Sequence, residues 1–173
     1  MTAFTGGPDH EHGAPPVAPT ELYGVITPQR RVVVADDEAL MLRMHQRLLP
    51  RLLPPGYKVS THENGALALA EVDLISADLQ QSLGLILSDQ MMPEMFGIDF
   101  YEAFRQRGHR NVPFLLMSGW MEDGLRERVN QVMAEGDPLF RFLDKPFNNS
   151  DLKAVIAELL EIRRRIEGVK DMQ

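Results

Sequence analysis

Several polar side chains in this chain stand at the ends of short apolar runs, and their types suit one kind of chemistry. Val32-Val33-Val34-Ala35 runs into Asp36-Asp37-Glu38. Leu85-Ile86-Leu87-Ser88 ends in the single carboxylate of Asp89, after which the chain leaves at Met92-Pro93 and turns at Gly97. Phe114-Leu115-Leu116-Met117 ends in Ser118-Gly119, and Phe140-Arg141-Phe142-Leu143 leads to Asp144-Lys145-Pro146. Singly, each has a plain structural explanation: a helix cap for Asp36 or Asp37, a turn for Asp89, a strand-terminating polar residue for Ser118 and Lys145. Together they form a set. Asp36, Asp37 and Asp89 repel one another unless one is protonated or a hard cation neutralises them, and Mg²⁺ suits oxygen donors that also face phosphate. Lys145 supplies a point charge and Ser118 a hydroxyl for phosphate oxygens. The chemistry expected is phosphoryl transfer to a carboxylate, which is already ionised at neutral pH and needs no base. The chain has no cysteine, and none of its five histidines is obviously placed to act as that base.

These residues meet only if the apolar runs are parallel strands of one sheet, because ligands in open parallel sheets bind at the carboxyl ends of the strands. The expected strands cover residues 31–35, 57–62, 85–89, 114–117 and 139–143. Helices fill the intervals. The first begins near Glu38, with Leu40, Met41, Met44, Leu48 and Leu49 as its stripe and Pro50 or Pro54-Pro55 ending or kinking it. The second follows Asn64-Gly65, carries Leu67, Leu69, Val72, Leu74, Ile75 and Leu79, and is closed by Gly84. The third spans 98–107, with Phe100, Tyr101 and Phe104 inward and Gly108 as its stop; the fourth spans 123–134. Ser150 or Asn149 caps the last, whose stripe is Leu152, Val155, Ile156, Leu159 and Leu160. Five β-α repeats make an α/β fold: a doubly wound five-stranded parallel sheet with helices on both faces.

Composition narrows the function. The 173 residues carry a formal net charge of −7, with a pI of about 5.2, which argues against a nucleic-acid surface. Without cysteine there are no disulfides, thiolate nucleophiles or zinc-thiolate sites. No apolar run reaches membrane-spanning length and no secretory signal is visible, so a cytoplasmic location is expected, with no membrane partner. Residues 1–29, rich in Gly and Pro, read as a flexible arm, with 30–168 as the domain and 169–173 as a tail. Asp9-His10-Glu11-His12 has metal-ligand residue types but no scaffold, and reads as a polar tail. Arg163-Arg164-Arg165 reads as a solvated helix end complementing the helix dipole.

The runs around Asp36-Asp37-Glu38, Ser88-Asp89-Gln90-Met91-Met92-Pro93 with Gly97, Leu116-Met117-Ser118-Gly119 and Leu143-Asp144-Lys145-Pro146-Phe147 resemble, in order and spacing, the receiver domain of bacterial response regulators, the CheY-like family, over residues 31–168. The resemblance implies a flavodoxin-like fold with strand order 2-1-3-4-5. It implies that Asp89 accepts a phosphoryl group from a phosphohistidine on a sensor histidine kinase or histidine phosphotransfer protein. Asp37, Asp89 and the backbone carbonyl of Met91 would ligate Mg²⁺, with Asp36 acting through water. Ser118 and Lys145 would hold phosphate oxygens, Ser118 and Phe142 would form the switch, and Lys145–Pro146 is a candidate cis peptide. Such a protein signals rather than turning over substrate, and reaches its target through the helix 4–strand 5–helix 5 surface, a homodimer being compatible with this. Segments 66–83 and 122–137 are slightly long for the family, and Phe142 lacks the hydroxyl often found there. Apolar Met91 and bulky Trp120 flank the route of a hydrolytic water, which predicts a long-lived phosphorylated form. A stand-alone receiver is the expectation. The alternatives are a fragment of a hybrid kinase or larger regulator, a degenerate binding module, or a phosphohydrolase; the last would want an acid two residues after its nucleophile, where Met91 stands.

Overall fold

The computed structural model describes residues 29–78 and 81–170, apart from the side chains of 169 and 170. The Asp9-His10-Glu11-His12 run, the expected arm up to Pro28, Leu79 and residues 171–173 lie outside the described residues. Five strands, β1 (Gln29–Ala35), β2 (Tyr57–His62), β3 (Gln81–Asp89), β4 (Phe114–Ser118) and β5 (Phe140–Asp144), form one sheet in the order β2-β1-β3-β4-β5. Every neighbouring pair is parallel. The helices are α1 (Ala39–Leu52), α2 (Gly65–Ala77), α3 (Gly97–Gln106), α4 (Asp123–Ala134) and α5 (Asn149–Lys170). The expected α/β fold and its strand order are therefore present.

Alternation along the strands divides the core in two. Val33, Ala35, Ile86, Phe114 and Leu116 face α2, α3 and α4, where Val72, Phe100, Phe104 and Val129 close the layer. Val32, Val34, Leu85, Leu87, Leu115 and Met117 face α1 and α5, against Leu49, Leu152, Ile156 and Leu159. Strands buried on both faces are why the sequence shows near-continuous apolar runs.

Several local expectations need correction. β3 begins at Gln81, not Leu85, and Gly84 lies inside it rather than closing α2. The pairing of β1 with β3 shifts between Arg31 and Val32, so that Gly84 is the extra residue of a bulge. A Cβ there would lie 2.7 Å from the Tyr57 ring. Arg163 is not solvated: it is 7% exposed, and its Nη1 donates to the Leu83 and Gly84 carbonyls at that bulge, 2.7 Å each. Arg164 and Arg165 do stand in solvent, paired with Glu161. α1 continues through Pro50, and the residues it buries fully are His45 and Leu49, whereas Leu40 is 62% exposed. Leu67 and Leu74 of α2 are also exposed. The cap of α5 is Asn148, not Asn149 or Ser150: its Oδ1 accepts from Ser150 N and Asp151 N, while Asp151 accepts from Asn148 N.

Candidate functional site

The parallel sheet brings the carboxyl ends of β1, β3, β4 and β5 to one edge. At the end of β1, the Asp36 side chain is fully buried and its Oδ1 accepts from Glu38 N at 2.9 Å. This tight turn precedes α1 and is not the helix cap expected of Asp36 or Asp37: the N-cap position is Glu38, which makes no side-chain cap bond. The turn leaves Asp37 exposed, with no ion pair among the described residues.

Asp89 ends β3 and is 7% exposed. Its Oδ1 takes a 2.5 Å contact from Lys145 Nζ, and its Oδ2 accepts from Met91 N at 2.6 Å. The loop that follows is fixed by Gln90, a residue that carries no role in the sequence motifs. Gln90 is fully buried, its backbone N–H donates to Met117 O, and its side-chain Oε1 accepts from Ile98 N at the start of α3. Its only cue in the sequence is its place directly after the carboxylate. Gly97 closes the loop by donating to Gln90 O; a Cβ there would strike the Asp89 carbonyl oxygen and Leu116 Cδ1. Between them Glu94 holds φ at 64°, a left-handed conformation that costs a non-glycine residue about 1–2 kcal/mol.

From β5, Lys145 arrives with its backbone N–H donated to Ser118 O at 2.8 Å and a cis bond to Pro146. Its ammonium lies 2.5 Å from Asp89 and 3.5 Å from Asp36 Oδ2. Burial opposes that charge, but the contacts with Asp89 and Asp36 outweigh it and the lysine pKa is raised. Burial likewise raises the pKa of Asp36, against the Glu38 N–H bond and Lys145, which pull it down. Ser118 is 2% exposed and its Oγ donates to Trp120 O at 2.9 Å. Phe142 is partly buried against the α2-α3-α4 core, on the same sheet face as Ser118.

Asp37, Asp89, Met91, Ser118, Trp120 and Lys145 line one open cavity of about 430 Å³; Asp36 lies behind it. The donors there are hard oxygens, which suit Mg²⁺. Among the described residues no three acidic or histidine side chains converge closely enough to cage a metal alone. A cation at Asp37 and Asp89 would therefore keep several waters, as Mg²⁺ does. Two histidines lie nearer the site than the sequence suggested. The His62 carbonyl accepts from Asp36 N. His45 is 1% exposed, its Nδ1 has no partner, and burial, followed by the charge of Lys145, lowers its pKa to about 4.

Residues 32–157 match the family model described as the response regulator receiver domain. The chain belongs to the receiver domain family. Among relatives, the receiver is 30% identical over 142 residues to the sensor kinase CckA of Brucella abortus, covering 82% of this chain but 13% of the kinase. It covers 17% of the 3',5'-cyclic-nucleotide phosphodiesterase regA of Dictyostelium discoideum, at 31% identity and 81% of this chain. It is 29% identical to the two-component response regulator ORR3 of rice, covering 72% of this chain and 86% of that protein. In fold it is similar to a response regulator receiver domain protein from Clostridium thermocellum, with a TM-score of 0.64, 21% identity, and coverage of 79% of this chain and 98% of that one. The receiver is thus a two-component module, of a family that pairs with histidine kinases and is associated with Mg²⁺. No helix among its described residues is long and apolar enough to cross a membrane.

Proposed function

We propose that the receiver accepts a phosphoryl group on Asp89 from a phosphohistidine of a sensor kinase or phosphotransfer protein, and signals through the phosphorylated form. The observation that carries this reading is the 2.5 Å contact of Lys145 Nζ with Asp89 Oδ1, at the mouth of a cavity that also holds Asp37 and Ser118. In the step, an Asp89 carboxylate oxygen bonds to phosphorus as the phosphorus–nitrogen bond of the donor breaks, and the electron pair stays on the imidazole nitrogen. Asp37, Asp89 and the Met91 carbonyl would hold Mg²⁺, with Asp36 reached through water; the ion's charge offsets that of the phosphoryl oxygens. Lys145 then shifts from Asp89 to a phosphate oxygen, and Ser118 exchanges the Trp120 carbonyl for another. That rotation vacates space on the sheet face shared with Phe142, whose inward turn remodels the α4-β5-α5 surface offered to a target.

Incubation with acetyl phosphate and Mg²⁺, followed by intact-mass measurement, tests the reading. One added phosphoryl group is expected, absent from Asp89→Asn; no addition to the unmodified protein refutes it. Met91 and Trp120 at the cavity mouth support slow loss of the phosphate. Met91→Asn, which offers a water a hydrogen-bond partner, is expected to shorten the half-life severalfold, followed by phosphate release after donor removal. The 30% identity with a sensor kinase of which the chain spans 13% favours a second reading of the context, a receiver working within a larger kinase.

A further inference from the structure

Asp89 is 7% exposed, so a donor reaches it only through the cavity mouth, and the rim of that mouth is distinctive. Trp120, the single tryptophan of the chain, stands there 67% exposed and is the one aromatic residue in the lining. Its backbone is fixed on both sides: its carbonyl accepts from Ser118 Oγ at 2.9 Å, and Met121 next to it is 4% exposed in the core. The base of the indole is therefore held while its faces stay open. Met91 is the other large apolar side chain of the lining; Asp37, Glu38 and Asp89 contribute carboxylates to it, and its one cation, Lys145, is paired with Asp89.

A flat π-face beside carboxylates attracts a planar cation more than a neutral or anionic group. An N-phosphoryl imidazole protonated on its second nitrogen is flat, aromatic and cationic over its ring, whereas an acyl phosphate offers no ring. We propose that the Trp120 indole is the platform on which the imidazole ring of the phosphodonor stacks, so that the site takes N-phosphoryl imidazoles in preference to acyl phosphates. The inference rests on Asp89 being the phosphoacceptor. Its chemistry balances without an added acid: the oxygen–phosphorus bond forms, the nitrogen–phosphorus bond breaks, and the electron pair neutralises the imidazolium, which departs as neutral imidazole. The leaving ring has lost the charge that held it to the indole, so the interaction favours the donor over the product.

The test compares monophosphoimidazole with acetyl phosphate as donors to the whole chain in Mg²⁺, following phosphoryl addition by intact mass across donor concentrations. For Trp120→Ala, the half-saturating concentration of monophosphoimidazole is expected to rise about tenfold with little change in the saturating rate. The ratio of second-order rates, monophosphoimidazole over acetyl phosphate, falls by the same factor, and Trp120→Phe restores most of it. An unchanged ratio, an equal loss for both donors, or a Phe variant no better than Ala overturns the stacking role while leaving Asp89 as acceptor; it would make the exposed indole a contact for a protein partner instead. Failure of both donors on the unmodified protein removes the acceptor reading, and this inference with it.

Discussion

Asp36 shows how the site holds charge that the fold would rather not bury. Its carboxyl is fully buried, takes a hydrogen bond from Glu38 N, and sees Lys145 at 3.5 Å while Asp89 holds that ammonium more closely. Because burial raises its folded pKa, this residue weakens the fold above that pKa and weakens it less as pH falls through it. Asp36→Asn keeps the oxygen that accepts from Glu38 N and removes the charge. It is expected to raise stability at neutral pH by on the order of 1 kcal/mol, seen as a higher Tm, while slowing phosphoryl addition. Asp89, by contrast, has both oxygens engaged by donors, one from Lys145 and one from the Met91 N–H.

At the level of elements, the structure spends its unusual interactions on β3, the strand that carries Asp89. Arg163 of α5 supplies two N–H bonds to the Leu83 and Gly84 carbonyls where the pairing with β1 slips by a residue. Arg163→Met would leave those buried acceptors unpaired and is expected to lower stability by about 2–3 kcal/mol, read as a lower urea midpoint with unchanged slope. The strands and the residues at their carboxyl ends were legible in the sequence because burial on both faces forces apolar runs and each run stops at a polar residue. The start of β3 was not, because Gly84 signals a helix end as readily as a bulge. Nor was Arg163, since an arginine in a basic triplet carries no mark of the carbonyls it will meet 79 and 80 residues away. The inward face of α1 escapes apolar periodicity for a related reason: it runs through His45 and Leu49, and a buried histidine carries no apolar mark, while Leu40 stands in solvent.

Across the whole molecule, His45 makes stability depend on pH. It is neutral in the fold, with a pKa lowered from 6.5 to about 4. Unfolded, it takes up a proton near 6.5, so its contribution is intact above that pH, drains as pH falls, and levels off below about 4. The loss amounts to about 3 kcal/mol over that window. Urea midpoints at pH 7 and pH 4.5 are expected to differ clearly less in His45→Leu than in the parent protein. Asp36 acts in the opposite direction over its own range, so the comparison of variant with parent isolates His45.

The grip of Arg163 on β3 bears on how motion travels through α5. The helix is 22 residues long, about 33 Å at 1.5 Å per residue, and Arg163 lies in its second half. Its first turn adjoins the Lys145–Pro146 bend, where phosphate chemistry would act, while its far half is clamped to the sheet. A rod clamped in this way tilts about its fulcrum rather than sliding along its length. A displacement at the Asn148 end would reappear as a swing in the opposite sense beyond Arg163, carried by a lever arm of barely two turns.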